Sequence, residues 1–120
     1  MRVEAGRLDD LPESKAVVAA DGRVVVVRTE DGVRAFENRC LHRGSSFEGA
    51  RISDGVMTCP AHFWRYRISD GRLVADPTIG LSEVPCEVVD GRVWIELPEP
   101  ETASIRQVLL RHAREWRRQP

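Results

Sequence analysis

The chain is expected to be an all-β protein of short antiparallel strands with one helix appended at its C-terminus. Asp-Gly occurs five times, at 21–22, 31–32, 54–55, 70–71 and 90–91, and four of these pairs sit between runs rich in β-branched and aromatic residues. Asp-Gly tolerates the positive φ that two-residue hairpin turns require. Closely spaced short strands with such turn signals indicate an antiparallel sandwich or small barrel. Past Pro98-Glu99-Pro100-Glu101 the periodicity changes from alternating to helical.

The pattern predicts hairpins Ala16–Ala20 with Arg23–Arg28, Phe63–Ile68 with Arg72–Val74, and Val84–Val89 with Arg92–Leu97, with further strands at Val33–Glu37 and Val56–Thr58. Ile105, Val108, Leu109, His112, Ala113 and Trp116 recur at helical spacing as one apolar stripe. Ser104 with Gln107 fits a capping box, and Pro100 and Glu101 suit a helix start. Residues 1–97 are therefore read as the β domain and residues 98–120 as a linker and amphipathic helix. Arg106, Arg111, Arg114, Arg117 and Arg118 line the opposite face. Such a helix can cover the chain's own sheet, dock a partner or mediate self-association, and covering the sheet is the default.

At 120 residues and net charge −1, one domain is expected, with no overall pull toward nucleic acid or membrane. Seventeen of the 18 basic residues are Arg, which we read as coding bias. The longest apolar run, Val24 to Val27, is too short to span a bilayer, and the N-terminus carries no signal-peptide core. Three cysteines in such a chain favour metal or thiol chemistry in a reducing cytoplasm over a disulfide framework.

Two motifs hold most of the metal-binding side chains. Cys40-Leu41-His42 and Cys59-Pro60-Ala61-His62 contribute two of the three Cys and two of the three His, with sixteen residues between the motifs. One reading is zinc, which accepts four tetrahedral Cys and His ligands. Zinc fingers usually place their two Cys together and their two His together. Here each loop mixes the types, as suits a two-iron, two-sulfur cluster with two thiolates on one iron and two imidazoles on the other.

Cys40-Leu41-His42-Arg43-Gly44 and Cys59-Pro60-Ala61-His62 resemble the Rieske pattern. So does the frame around them: Glu48-Gly49, Asp54-Gly55, Trp64-Arg65-Tyr66, Ser69-Asp70-Gly71 and Leu81, then Asp90-Gly91-Arg92-Val93. The likeness covers about residues 1–97 and is greatest to the Rieske-type ferredoxins that feed electrons to bacterial aromatic-ring oxygenases. It implies a sandwich of three small antiparallel sheets, with one 2Fe-2S cluster in a subdomain at the tip. By position, Cys40 and Cys59 would hold the inner iron, and His42 and His62 the outer iron near solvent.

The departures from the family pattern carry information. Respiratory Rieske proteins join their loops by a disulfide, whereas the corresponding residues here are Ser45 and Ala61. The resemblance therefore places the potential at the low end of a range of about −150 to +300 mV, below zero. The usual Gly after the second His is Phe63, whose side chain must point out of the loop or repack it. Tyr66 is either a packing aromatic or a hydrogen-bond donor to the cluster; a bond worth about 1 kcal/mol would raise the potential by only about 43 mV. Pro60 and Gly44 are expected to shape the loops so that backbone N–H groups reach sulfur. Cys86 is read as a small core residue and His112 as a packed histidine. Arg43, Arg65 and Arg67 are solvated by default, with steering of an acidic partner as the alternative.

The chain is too short for a Rieske domain plus an oxygenase catalytic domain. Once the cluster is built, only His112 remains, so no two-His-one-carboxylate set is available. No Gly-rich dinucleotide fingerprint follows a strand. The expectation is a non-enzymatic electron carrier between a flavoprotein ferredoxin reductase and a terminal oxygenase. The alternatives are a small Rieske subunit of a nitrite-reductase-type enzyme and, more remotely, a zinc-binding interaction module.

Overall fold

A computed structural model of the chain describes residues 1–97; the expected C-terminal helix, with His112, lies outside the described residues. Its strands are β1 (Arg2–Arg7), β2 (Val17–Ala19), β3 (Val24–Thr29), β4 (Gly32–Glu37), β5 (Arg51–Ser53), β6 (Val56–Thr58), β7 (Arg65–Arg67), β8 (Glu83–Val84), β9 (Cys86–Val89) and β10 (Arg92–Glu96). They form three antiparallel sheets, ordered β1-β10-β9, β2-β3-β4-β8 and β5-β6-β7. Among the described residues, no helix is long and apolar enough to cross a membrane.

The second sheet lies between two cores, and β3 shows why. Val24 and Val26 face one core with Leu11, Ala35, Val93 and Ile95. Val25 and Val27 face the other, with Phe36, Phe47, Met57, Tyr66, Cys40 and Cys59. All four valines are buried. A strand covered on both faces reads as a continuous apolar run rather than an alternating one. The second core fastens the β5-β6-β7 sheet, and with it the cysteine loops, to the rest of the molecule.

Asp54-Gly55 and Asp90-Gly91 are two-residue hairpin turns with both residues at positive φ, joining Ser53 to Val56 and Val89 to Arg92. Two predicted turns differ. Thr29 pairs with Gly32, so Glu30-Asp31 forms that turn; Gly32, at φ +134°, takes up the strained position. Ala19 pairs with Val24, so Ala20, Asp21, Gly22 and Arg23 all lie in the first loop. The expected strand Val84–Val89 is broken at Pro85: Val84 pairs with Ala35 in the second sheet, and Cys86 with Ile95 in the first. Proline has no N–H to donate and a fixed φ, so the chain changes sheets there. The expected strand Arg72–Val74 is reduced to isolated bridges, Tyr66 to Leu73 and Arg72 to Gly80.

At the Ser69-Asp70-Gly71 turn, Gly71 has φ +75° and a Cβ there would sit 2.7 Å from the Phe36 ring. Beside it, Arg72 N–H donates to Asp70 Oδ1 at 3.0 Å and Arg67 Nη2 lies 2.7 Å from Oδ2. The Arg72 amide, then Arg67, hold the Asp70 carboxyl below its ordinary pKa. A depressed folded-state pKa stabilises above the unfolded value, and that stability is lost as pH falls through the folded one. Because the pair is exposed, Asp70→Asn is expected to cost less than about 1 kcal/mol at pH 7. The difference from wild type should close below about pH 4, as urea unfolding at the two pH values would show.

Candidate metal centre

Two loops form one tip of the molecule, the first leaving β4 and the second joining β6 to β7. Asn38 fastens the first loop: its Nδ2 donates to the Gly22 carbonyl at 2.8 Å and its Oδ1 accepts from Phe47 N–H at 2.7 Å. Both loops then close in the same way. Gly44 N–H donates to the Cys40 carbonyl at 2.7 Å, and Cys40 N–H to the Ser45 carbonyl at 2.9 Å. In the second loop, Phe63 N–H donates to the Cys59 carbonyl at 2.9 Å, and Cys59 N–H to the Trp64 carbonyl at 2.8 Å.

Phe63 thus occupies in its loop the place that Gly44 occupies in the other, and both are left-handed, at φ +62° and +72°. The side chain points out of the loop, 74% exposed. A bulky residue in this region costs on the order of 1–3 kcal/mol, whereas glycine adopts it freely. Phe63→Gly is therefore expected to stabilise the protein by about 0.5–1 kcal/mol, the strain relieved less the added freedom of the unfolded chain. The urea midpoint checks this.

The loops bring the four predicted ligand residues together and sort them by depth. Cys40 and Cys59 are buried, His42 is half-buried and His62 is exposed. The Cys40 thiol and the Ala61 and His62 backbone amides lie close enough to the Cys59 sulfur to shift its titration. Burial pushes the Cys59 thiol up, the two amides pull it down, and the nearby Cys40 raises it again.

The imidazoles of His42 and His62 meet edge to face with centroids 4.5 Å apart. Trp64 lies against His42 at 4.7 Å, tilted 32°. Desolvation, then His62 and Arg43, lower the His42 pKa and favour the neutral ring that a metal needs. His42 Nδ1 is buried with no hydrogen-bond partner, as a metal-ligating nitrogen would be. Among the described residues, no three His, Cys, Asp or Glu side chains gather about a single ion position; each iron of a Rieske cluster takes only two protein ligands. The donor set and the orphaned nitrogen fit a mixed thiolate–imidazole cluster.

Tyr66 is fully buried behind the thiols, edge-on to Phe47 with centroids 5.4 Å apart. Leu41 N–H donates to its hydroxyl at 3.0 Å, and the hydroxyl lies 3.3 Å from Cys40 Sγ. Burial, then Cys40, push its pKa well above the ordinary value, so the O–H remains available to the sulfur. Tyr66 therefore packs in the core and lies within hydrogen-bond reach of the Cys40 sulfur, to which its O–H would donate once that sulfur is a thiolate. Cys86 is half-buried against the first core, with Sγ 3.6 Å from the Val33 carbonyl, and plays the packing part expected of it. The sequence reading did not anticipate the stacking of Trp64 on His42, since the two residues lie on different loops.

A small antiparallel β fold with thiols inside and imidazoles outside at one tip defines an iron–sulfur electron-transfer protein. The chain belongs to the Rieske [2Fe-2S] domain family, which it matches over residues 1–86, and its cofactor is a single 2Fe-2S cluster. It is similar to the ferredoxin component of the alkene monooxygenase system of Xanthobacter autotrophicus, with 30% identity over 78% of this chain and 79% of that protein. The similarity to chlorophyllide a oxygenase of Arabidopsis thaliana, 32% identical over 68% of this chain, spans only 17% of that protein. Among solved structures, the Sphingomonas yanoikuyae B1 ferredoxin superposes with a TM-score of 0.69 at 20% identity, over 82% of this chain and all of that one. An NADH-dependent nitrite reductase small subunit from Mycobacterium tuberculosis gives 0.66 at 22% identity, over 82% and 96%.

Proposed function

We propose that the protein is a cytoplasmic ferredoxin that takes one electron from a flavoprotein reductase and passes it to an oxygenase. The observation that carries this is the depth order at the tip: two buried thiols, a half-buried His42 and an exposed His62. In this reading Cys40 and Cys59 hold the inner iron, and His42 and His62 the outer one. Bound there, a 2Fe-2S cluster supplies one reversible electron. The rest is done by the chain. Buried thiolates keep water from the inner side, while the amides of Ala61 and His62 and the Tyr66 hydroxyl donate toward sulfur and offset its negative charge. Trp64 covers one face of His42. Exposed His62 brings the redox-active edge to the surface, which shortens the path to a partner.

We take residues 1–97 as the carrier unit, since the two cores found among the described residues and both Cys/His loops lie within it. The ferredoxin component of an alkene monooxygenase system matches most of its own length, which favours a separate carrier. The likeness to a nitrite reductase small subunit, at 22% identity, shows the shared fold. Visible absorption, metal analysis and low-temperature EPR of the dithionite-reduced protein test the reading. Two irons per chain, a Rieske-type EPR signal and a midpoint below zero are expected; a colourless protein with one zinc, or a midpoint well above zero, would overturn it.

A further inference from the structure

We propose that Phe63 anchors a docking surface for an acidic redox-partner protein, one whose contact face has an apolar centre ringed by carboxylates; this rests on the carrier reading above. Phe63 leaves its ring 74% exposed on a backbone at φ +62°. Strained backbone and a wetted aromatic ring both disfavour the isolated fold. Burial of the ring against a second protein would offset both. The position adjoins exposed His62, the proposed electron exit. On the other loop Leu41, 44% exposed, adjoins His42, and the two imidazoles are 4.5 Å apart. An apolar side chain from each loop thus flanks the histidine pair.

The charges carried by the two loops have one predominant sign, and Arg43 lies near enough to His42 to act on it. Residues 38–48 and 59–65 carry Arg39, Arg43 and Arg65 against Glu48. Arg43 and Arg65 are exposed, and none of the three arginines has an ion pair among the described residues. The whole chain is net −1, so these two loops are more positive than the chain as a whole. An aromatic centre with arginine around it is the composition of interface hot spots, and a positive rim steers in a negative partner. A second copy of this chain would set arginine against arginine.

The test is anaerobic stopped-flow reduction by flavodoxin hydroquinone, an acidic one-electron donor with an exposed apolar flavin edge. The wild-type rate constant is expected to fall as salt rises. Phe63→Gly should react about tenfold more slowly, the loss of one aromatic anchor, and Phe63→Leu should recover part of the rate. Reduction by dithionite, the EPR spectrum and the midpoint potential of Phe63→Gly should match wild type, which separates docking from damage to the cluster. Equal flavodoxin rates for Phe63→Gly and wild type, or a rate that rises with salt, would overturn the docking surface alone. A wild-type protein that dithionite fails to reduce would overturn the carrier reading, and the docking surface with it.

Discussion

Cys59→Ala is expected to give a colourless protein with no iron and no EPR signal, and a less stable apo-protein. His62→Ala is expected to lose the iron equally while leaving the apo-protein intact. The contrast follows from depth. Cys59 belongs to the core that joins Phe47, Met57 and Tyr66 to the second sheet, whereas His62 is exposed and fills nothing. Loss of either ligand leaves one iron with three donors, and the binding free energy that couples metal to folding is lost in both. In the apo form only Cys59→Ala leaves a gap, at about 1–2 kcal/mol, whereas an exposed substitution stays within about 0.5 kcal/mol. Iron and sulfide analysis, EPR, and urea unfolding of the apo-proteins measure each part. Two irons retained in Cys59→Ala would remove it from the ligand set, and equal apo-protein stabilities would contradict the depth order.

The two Cys/His loops that the structure brings together stood out because their chemistry is local. Two Cys and two His crowd into short segments, and mixed pairs in each segment suit irons with unlike ligands. The turns at Asp54-Gly55 and Asp90-Gly91 were legible because consecutive positive φ values strongly select such pairs, although β5, the partner of β6 at the first of them, was not read. What the chain hides depends on distant partners. Strand β1 was missed because a bulge between Glu4 and Gly6 breaks its alternation, and its partner, β10, lies at the far end of the domain. Pro85 was read as sitting inside one strand because the residues on both sides have strand composition; only the competing partners Ala35 and Ile95 separate them. Phe63 left two outcomes open. The loops close in the same way, with Gly44 in the equivalent place, so the left-handed backbone is kept at Phe63 and its side chain is 74% exposed.

Tyr66→Phe is expected to lower the midpoint potential by about 40 mV and the stability by about 2 kcal/mol. The substitution removes one hydroxyl and keeps the ring, so the edge-on packing against Phe47 survives. Two interactions are lost together: the Leu41 N–H donor, at 3.0 Å, loses its acceptor, and Cys40 Sγ, at 3.3 Å, loses its donor. A buried donor without a partner costs about 1–3 kcal/mol, which sets the stability loss. The potential depends only on the part of the bond that strengthens when the cluster gains an electron. If that part is about 1 kcal/mol, a one-electron couple falls by about 43 mV, since a tenfold change is about 59 mV. The shift is small against a family range of about 450 mV, so Tyr66 adjusts a potential whose level other features set. Redox titration and urea unfolding of the same variant separate the two effects. A lower stability with an unchanged potential would leave Tyr66 as a support for Leu41 alone, and a fall beyond about 100 mV would make it the main control of the potential.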